Sequence, residues 1–187
     1  MNKLYIIGGS PRCGKTAILN EVLKLQPMIG VSSDAIRAGV RYLNRNNRIN
    51  ESEDMVEDVL PWEMMIGLIQ RYDHLNIPVI VEGAVFTPAR VNSLQLKNLK
   101  PHVCFVGFSS DTFIDQVIEH GKQVKDWVHA NIEEHGGENN VRETMKDLQA
   151  KSIRLKAEAE EYGYQFFEAD RISFNEYKDE VVKYLLG

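Results

Sequence analysis

The sequence predicts an α/β fold, an all-parallel sheet covered by helices on both faces, and two observations carry that prediction. Five short apolar runs rich in Val, Ile and Phe recur along the 187 residues, at Leu4 to Ile7, Met28 to Val31, Val79 to Val81, Val103 to Phe108 and Tyr164 to Phe167. Each is followed by polar residues and then by helical spacing, which is the alternation of βαβ units; runs that stay apolar throughout belong to strands buried on both faces. The length suits one domain with a sizeable core, and no linker or internal repeat divides it, so residues 1–187 are expected to form a single unit.

The elements follow in order. A first helix from Lys15 to about Leu25 places Ile18, Leu19, Val22 and Leu23 on one face and is ended by Pro27. A second follows Asp34, carrying Ile36, Val40 and Leu43 toward the core, and gives way to a loop running from Asn44 to about Asp54. From Met55 to Asn76 the spacing is helical but broken at Pro61, a residue suited to the first turn of a new helix, after which Trp62, Met65, Ile66, Ile69 and Tyr72 form an apolar face. Thr87-Pro88 and Ser110-Asp111 each open a helix. The pattern loosens between about 121 and 140, where Gly136-Gly137 and Asn139-Asn140 mark a turn, and this stretch is the expected lid. A long polar helix then runs from Val141 to Tyr162 and stops at Gly163. Ser173-Phe174-Asn175-Glu176 is a capping box for a last helix that buries Phe174, Tyr177 and Val181.

A net charge of −5 and a pI near 5.6 argue against a general nucleic-acid footprint, so an anionic ligand must be held locally. The chain opens almost directly on a strand, and no apolar run approaches the ~20 residues of a membrane span. Two cysteines, Cys13 and Cys104, make neither a disulfide framework nor a metal pattern. A cytoplasmic protein without membrane association is expected.

The chemistry concentrates in Gly8-Gly9-Ser10-Pro11-Arg12-Cys13-Gly14-Lys15-Thr16, which contains G-x-x-x-x-G-K-T between a strand and a helix. Its glycines let successive N–H groups turn inward on a phosphate, and the helix dipole adds partial positive charge. Gly9, Ser10, Pro11, Arg12, Cys13, Gly14, Lys15 and Thr16 are therefore the expected cradle for ATP, with Lys15 on the β- and γ-phosphates and the Thr16 hydroxyl on Mg²⁺. Cys13 has two readings, an oxidisable thiol or a tolerated small residue.

Beyond the second strand, Asp34 and Arg37 lie three apart on a helix start. The carboxylate suits proton removal from an attacking hydroxyl, and the guanidinium suits an anion on the acceptor or the transferred phosphoryl group. Arg37, Arg41 and Arg45, with Arg48 just beyond, form a basic stripe. Val79-Ile80-Val81 delivers Glu82 to the same edge, where it would hold Mg²⁺ or position the acceptor. Lys122, Lys125, Arg142, Lys146, Lys151 and Arg154 supply candidate closing cations, Arg142 first and Arg154 second. His120, His129 and His135 lack the spacing of a zinc site.

Gly9 to Thr16, Asp34-x-x-Arg37 and Val81-Glu82-Gly83, in that order, resemble the small P-loop kinases. The Asp-x-x-Arg pair is similar to that of polynucleotide kinase, chloramphenicol phosphotransferase and the zeta toxins, and Val-Glu-Gly followed by Pro88 to that of 2-phosphoglycerate kinase-like proteins. The resemblance implies a three-layer P-loop NTPase fold, a five-stranded sheet in the order 2-3-1-4-5 and a mobile lid. The closely spaced lid arginines of many such kinases are absent, and Val85 stands where 2-phosphoglycerate kinases tend to have histidine.

An ATP- and Mg²⁺-dependent kinase of a small-molecule hydroxyl or phosphate is the leading expectation, with Lys15, Asp34, Arg37 and Arg142 catalytic and Thr16 and Glu82 on the metal. A regulatory NTPase without an acceptor, and a toxin-like kinase of a nucleotide sugar or nucleic-acid end, stay open beside it. Neither Asn-Lys-x-Asp nor Leu-Ser-Gly-Gly-Gln occurs, and both absences favour the kinase.

Overall fold

Strands form where the apolar runs fall: β1 Lys3–Gly9, β2 Ile29–Ser32, β3 Val79–Gly83, β4 Lys100–Gly107 and β5 Gln165–Glu168. They pair in parallel in the order β2-β3-β1-β4-β5, the expected topology. The computed structural model describes residues 3–123, 137–170 and 173–187. Register brings the chemistry to one edge, because Glu82 of β3 lies beside both Ile7 of β1 and Ser32 of β2.

Alternation along the strands divides the core in two. Tyr5, Ile7, Ile80, Cys104 and Val106 join one cluster, and Leu4, Ile6, Val79, Val81, Val103 and Phe105 join the other. Against the first pack α1 (Lys15–Leu25), α5 (Asp111–Gln123) and α7 (Phe174–Leu186); against the second pack α3 (Leu60–Leu75) and α4 (Pro88–Asn92). The remaining helices are α2 (Ser33–Arg45) and α6 (Gly137–Glu161).

The long helix α6 belongs to both layers. Val141 and Met145 in its first half enter one cluster, while Leu155 and Ala159 in its second half pack with the other. Between them Ser152 sits on the end of β4, its Oγ accepting from Phe108 N at 2.7 Å. A Cβ on Gly107 would stand 2.0 Å from that oxygen, so the glycine is what admits the helix so closely. Helix α6 thereby crosses the carboxyl edge of the sheet, and Ser10 Oγ donates to its Leu148 carbonyl at 3.4 Å.

Several expectations are corrected. Leu43 is 41% exposed, because the buried face of α2 ends at Val40 and its final turn lies beyond the core. Phe174 is 50% exposed, lying over the Gly14 backbone and not in the core. Before Pro61 the chain forms a π-helical turn, Met55–Val59, which runs directly into α3. Gly137, Asn139 and Asn140 belong to the first turn of α6, which starts earlier than Val141. Of the expected lid, residues 124–136 lie outside the described residues.

Asp73, near the end of α3, pins the turn leading into β4. Its carboxylate accepts from the N–H groups of Lys97, Asn98 and Leu99 at 2.9, 2.8 and 2.6 Å. Burial raises its proton affinity, but the three amide donors outweigh this and hold the carboxyl below the ordinary value. With the folded pKa the lower of the two, this stabilisation is complete above the unfolded carboxyl's pKa of about 3.9 and is lost as pH falls through the folded value. Asp73→Asn is expected to cost about 2–3 kcal/mol in urea unfolding at pH 7. The gap to wild type should narrow in the same measurement below about pH 4.

Candidate active site

The loop between β1 and α1 is shaped by its dihedrals. Arg12 and Gly14 have φ of 70° and 72°, separated by a residue of ordinary hand, and such alternation turns successive N–H groups to one side. A non-glycine residue in the left-handed region costs on the order of 1 kcal/mol, so Arg12 stores strain at the loop. Two contacts hold the shape. Ser10 N donates to Val106 O at 2.9 Å, and the buried Tyr177 hydroxyl of α7 donates to Cys13 O at 3.0 Å. The first turns the Ser10 N–H outward to β4, and the second points the Cys13 carbonyl outward, which leaves the Gly14 N–H of that peptide plane facing the cradle.

Lys15 is only 6% exposed, and its Nζ donates to Ser10 O at 2.8 Å. Burial lowers its proton affinity. The negative charges of Cys13 when ionised, Glu82 and Asp34 work in the opposite direction, and the Arg37 guanidinium adds to the lowering. The Cys13 thiol is itself pushed up to about 12, by burial first, with Lys15 opposing and Asp170 adding to the rise. A thiol so protonated is a poor nucleophile, which favours the tolerated small residue over the oxidisable one.

Glu82 is fully buried. Its Oε1 accepts from Thr16 Oγ1 at 3.1 Å, while Oε2 has no hydrogen-bond partner among the described residues. A buried carboxylate oxygen without a donor is costly in a folded protein. Beside a hydroxyl it is also the hard-oxygen set that suits Mg²⁺, so these residues fit the metal.

Asp34 reaches the same place by a local device. Ser32 is the N-cap of α2, its hydroxyl accepting from Asp34 N at 3.3 Å, so the Asp34 carboxylate is spared that duty. A Cβ on Gly83 would stand 1.7 Å from Ser33 Oγ, and its absence lets the start of α2 lie directly on β3. Arg37 donates to Asp34 Oδ1 at 2.9 Å and, through Nε, to the Glu57 carbonyl at 2.9 Å.

Lys15, Thr16, Asp34 and Glu82 line one cleft of about 740 Å³. Its far end is apolar, built by Phe113 and Val117 of α5 and Phe174 of α7. Those residues were not among the sequence candidates. A signal for them existed, since Phe113, Gln116, Val117 and His120 fall on one helical stripe and all line the cleft.

Other candidates go elsewhere. Arg41 clasps the Glu57 carboxylate through two donors, which takes it out of any open basic stripe. Arg142 donates to Asp115 Oδ1 at 2.6 Å and lies 3.6 Å from Glu138, and it does not line the cleft. Its expected phosphate role is therefore not supported by its placement: two neighbouring carboxylates already occupy the guanidinium. Arg154 does line a second, smaller cleft beside the loop.

No protein-family model matches the sequence, and no curated protein matches it. Solved structures share its fold. The chain is similar to a shikimate kinase from Bacteroides thetaiotaomicron, with a TM-score of 0.61 and 12% identity over 99% of both chains. A gluconokinase from Sinorhizobium meliloti 1021 gives 0.57 and 10%, over 98% of this chain and 91% of that one. A chain from the PezAT toxin–antitoxin system of Streptococcus pneumoniae gives 0.55 and 14%, over 92% and 69%. At such identities the likeness is one of fold, that of the P-loop kinases. Among the described residues, no helix is long and apolar enough to cross a membrane.

Tyr177→Phe removes the side-chain donor to the Cys13 carbonyl while keeping the ring. Leaving that buried oxygen unpaired should cost about 1–3 kcal/mol. Thermal unfolding is expected to shift down accordingly, and calorimetry to show weaker ATP binding as the loop loses its outward-facing carbonyl.

Proposed function

We propose that the protein is an ATP- and Mg²⁺-dependent phosphotransferase acting on a small-molecule hydroxyl or phosphate. One observation carries the reading: a buried lysine, a hydroxyl beside a carboxylate with an unpaired oxygen, and an acidic residue free of capping duty converge on one cleft. The neighbours in fold, a shikimate kinase and a gluconokinase, support it.

In this reading the apolar end between Phe113 and Phe174 takes the base, and the loop from Gly9 to Thr16 takes the phosphates. Lys15 neutralises charge on the terminal phosphates as it shifts to the leaving oxygen. Thr16 and Glu82 would hold Mg²⁺, which supplies charge neutralisation on the phosphate oxygens when bound. The acceptor oxygen bonds to the γ-phosphorus as the bond from that phosphorus to the β–γ bridging oxygen breaks. The acceptor's proton passes to Asp34, whose Oδ1 is steadied by Arg37 and whose Oδ2 remains to receive it. ADP leaves. A cytoplasmic setting, where ATP and reduced thiols coexist, goes with this reading.

Lys15→Ala is expected to weaken ATP binding in calorimetry and abolish turnover; unchanged affinity would remove the cradle reading. The wider test is ATP consumption with Mg²⁺ across a panel of hydroxylated and phosphorylated metabolites, in which turnover should depend on one acceptor. Asp34→Asn keeps shape and leaves the Ser32 cap intact, so it should fold and bind ATP normally. Loss of general-base help should lower acceptor phosphorylation by ~10²- to 10⁴-fold. Transfer near the wild-type rate by the folded variant would reduce Asp34 to a first-turn residue.

A further inference from the structure

A second cleft of about 300 Å³ opens where α6 crosses the carboxyl edge of the sheet. Its floor is the first part of the phosphate loop, Gly9, Ser10 and Pro11, and α6 contributes Lys151, Arg154 and Glu158 to its wall. Ser10 also accepts the Lys15 ammonium through its carbonyl at 2.8 Å. An occupant of this cleft therefore touches the residue whose carbonyl holds the Lys15 ammonium. The size suits a small metabolite, and Ala84, Thr87 and Leu155 offer mostly apolar contact for a carbon skeleton.

The cations decide what kind of metabolite. Arg37, Arg41, Arg90, Arg142 and Lys156 are each engaged by a carboxylate within the protein. Among the described residues, Lys151 and Arg154 have no such partner, although they stand three apart on one face of α6 and line the same cleft. The one acidic residue there, Glu158, lies a turn further on, and its Oε1 accepts from Ala89 N at 3.0 Å, which fixes it against α4. Two positive groups thus face one carboxylate already occupied by a backbone donor, and the local field favours an anion at the Lys151–Arg154 end. Glu158 at the opposite end would accept from a hydroxyl.

We propose that the phosphoryl acceptor is an anionic hydroxy compound, carrying a carboxylate or a phosphate, whose anion is held by Lys151 and Arg154 while its body lies against Gly9–Pro11. This rests on the phosphotransferase reading and narrows its substrate class. Pro11 lines both clefts, so an acceptor anchored by its anion in the smaller one would extend its hydroxyl past Pro11 toward the γ-phosphorus and Asp34 in the larger, and binding energy from a non-reacting group would position it.

The test uses the full chain. A non-hydrolysable ATP analogue with Mg²⁺ is first titrated into wild type and the K151A/R154A variant, and both are expected to bind it alike because neither residue lines the larger cleft. Inorganic phosphate is then titrated into each saturated complex. Wild type should bind one phosphate, the double variant at least roughly tenfold more weakly, and Arg154→Lys in between. In turnover assays on matched pairs of hydroxy compounds with and without a carboxylate or phosphate, only the charged members should react, and the double variant should raise their KM with little change in the KM for ATP. The proposal is overturned if phosphate fails to bind saturated wild type, if the double variant binds it equally well, or if neutral members react as readily. Loss of the nucleotide analogue from the double variant would also overturn it, assigning the two cations to ATP instead. Failure of wild type to bind the analogue would sink the phosphotransferase reading itself.

Discussion

The structure depends on a buried ammonium. Lys15 sits 6% exposed at the point where β1 turns into α1, and a lone charge there would be expelled or neutralised. It is tolerated because the sheet order gathers compensating groups around it: the Ser10 carbonyl from its own loop, Glu82 from β3 and Asp34 from the start of α2. That gathering needs β1 between β3 and β4, with β2 beyond β3, since only then do Ser32, Glu82 and Ile7 lie side by side. The compensation is incomplete, as burial still leaves the proton affinity of Lys15 lowered. On the phosphotransferase reading proposed above, a triphosphate would add negative charge where this compensation falls short, so the same imbalance would favour the ligand.

Most of the framework was legible because it is local. The continuous apolar runs mark the five strands, and the capping residues mark helix starts: Thr87 accepts from Arg90 N and Ser173 forms its full capping box. Glu82 follows an apolar run directly and Asp34 comes three residues after one, so both could be placed at this edge from sequence. What failed did so where tertiary contact outweighs local pattern. Phe174 looks like a core residue by spacing, yet Gly14 offers its ring a backbone surface beside the cleft. The stretch from Asn44 to Asp54 has loop composition, but just beyond it a π-helical turn presents Glu57 to Arg37 and Arg41. No spacing rule relates residues so far apart in sequence.

Cations illustrate the limit most clearly. Arg142 and Arg154 are both basic residues on one long polar helix, and only the nearness of Arg142 to the Gly-Gly turn ranked it ahead in sequence. Their fates differ because α6 runs past two different neighbours. Near its start it faces α5, where Asp115 takes Arg142. Beyond Ser152 it has crossed to the other layer, and Arg154 emerges beside the loop with no carboxylate to meet it. The crossing point itself is set by Gly107, a residue with no chemistry of its own.

Bracing from both sides explains how a strained loop keeps its shape. Arg12 in the left-handed region would relax in an isolated peptide, releasing on the order of 1 kcal/mol. Here β4 accepts from Ser10 N and α7 donates to the Cys13 carbonyl, so the Gly9–Ser10 and Cys13–Gly14 peptide planes, which flank Arg12, are each fixed by a different element. Neither contact is to the ligand. Both fix the turn of the loop, and if it holds a phosphate as proposed, a cradle shaped in advance would lose less entropy on binding than one that must fold around its anion. The distant helix α7 thus shapes the loop through geometry alone, by a contact between residues 164 positions apart along the chain.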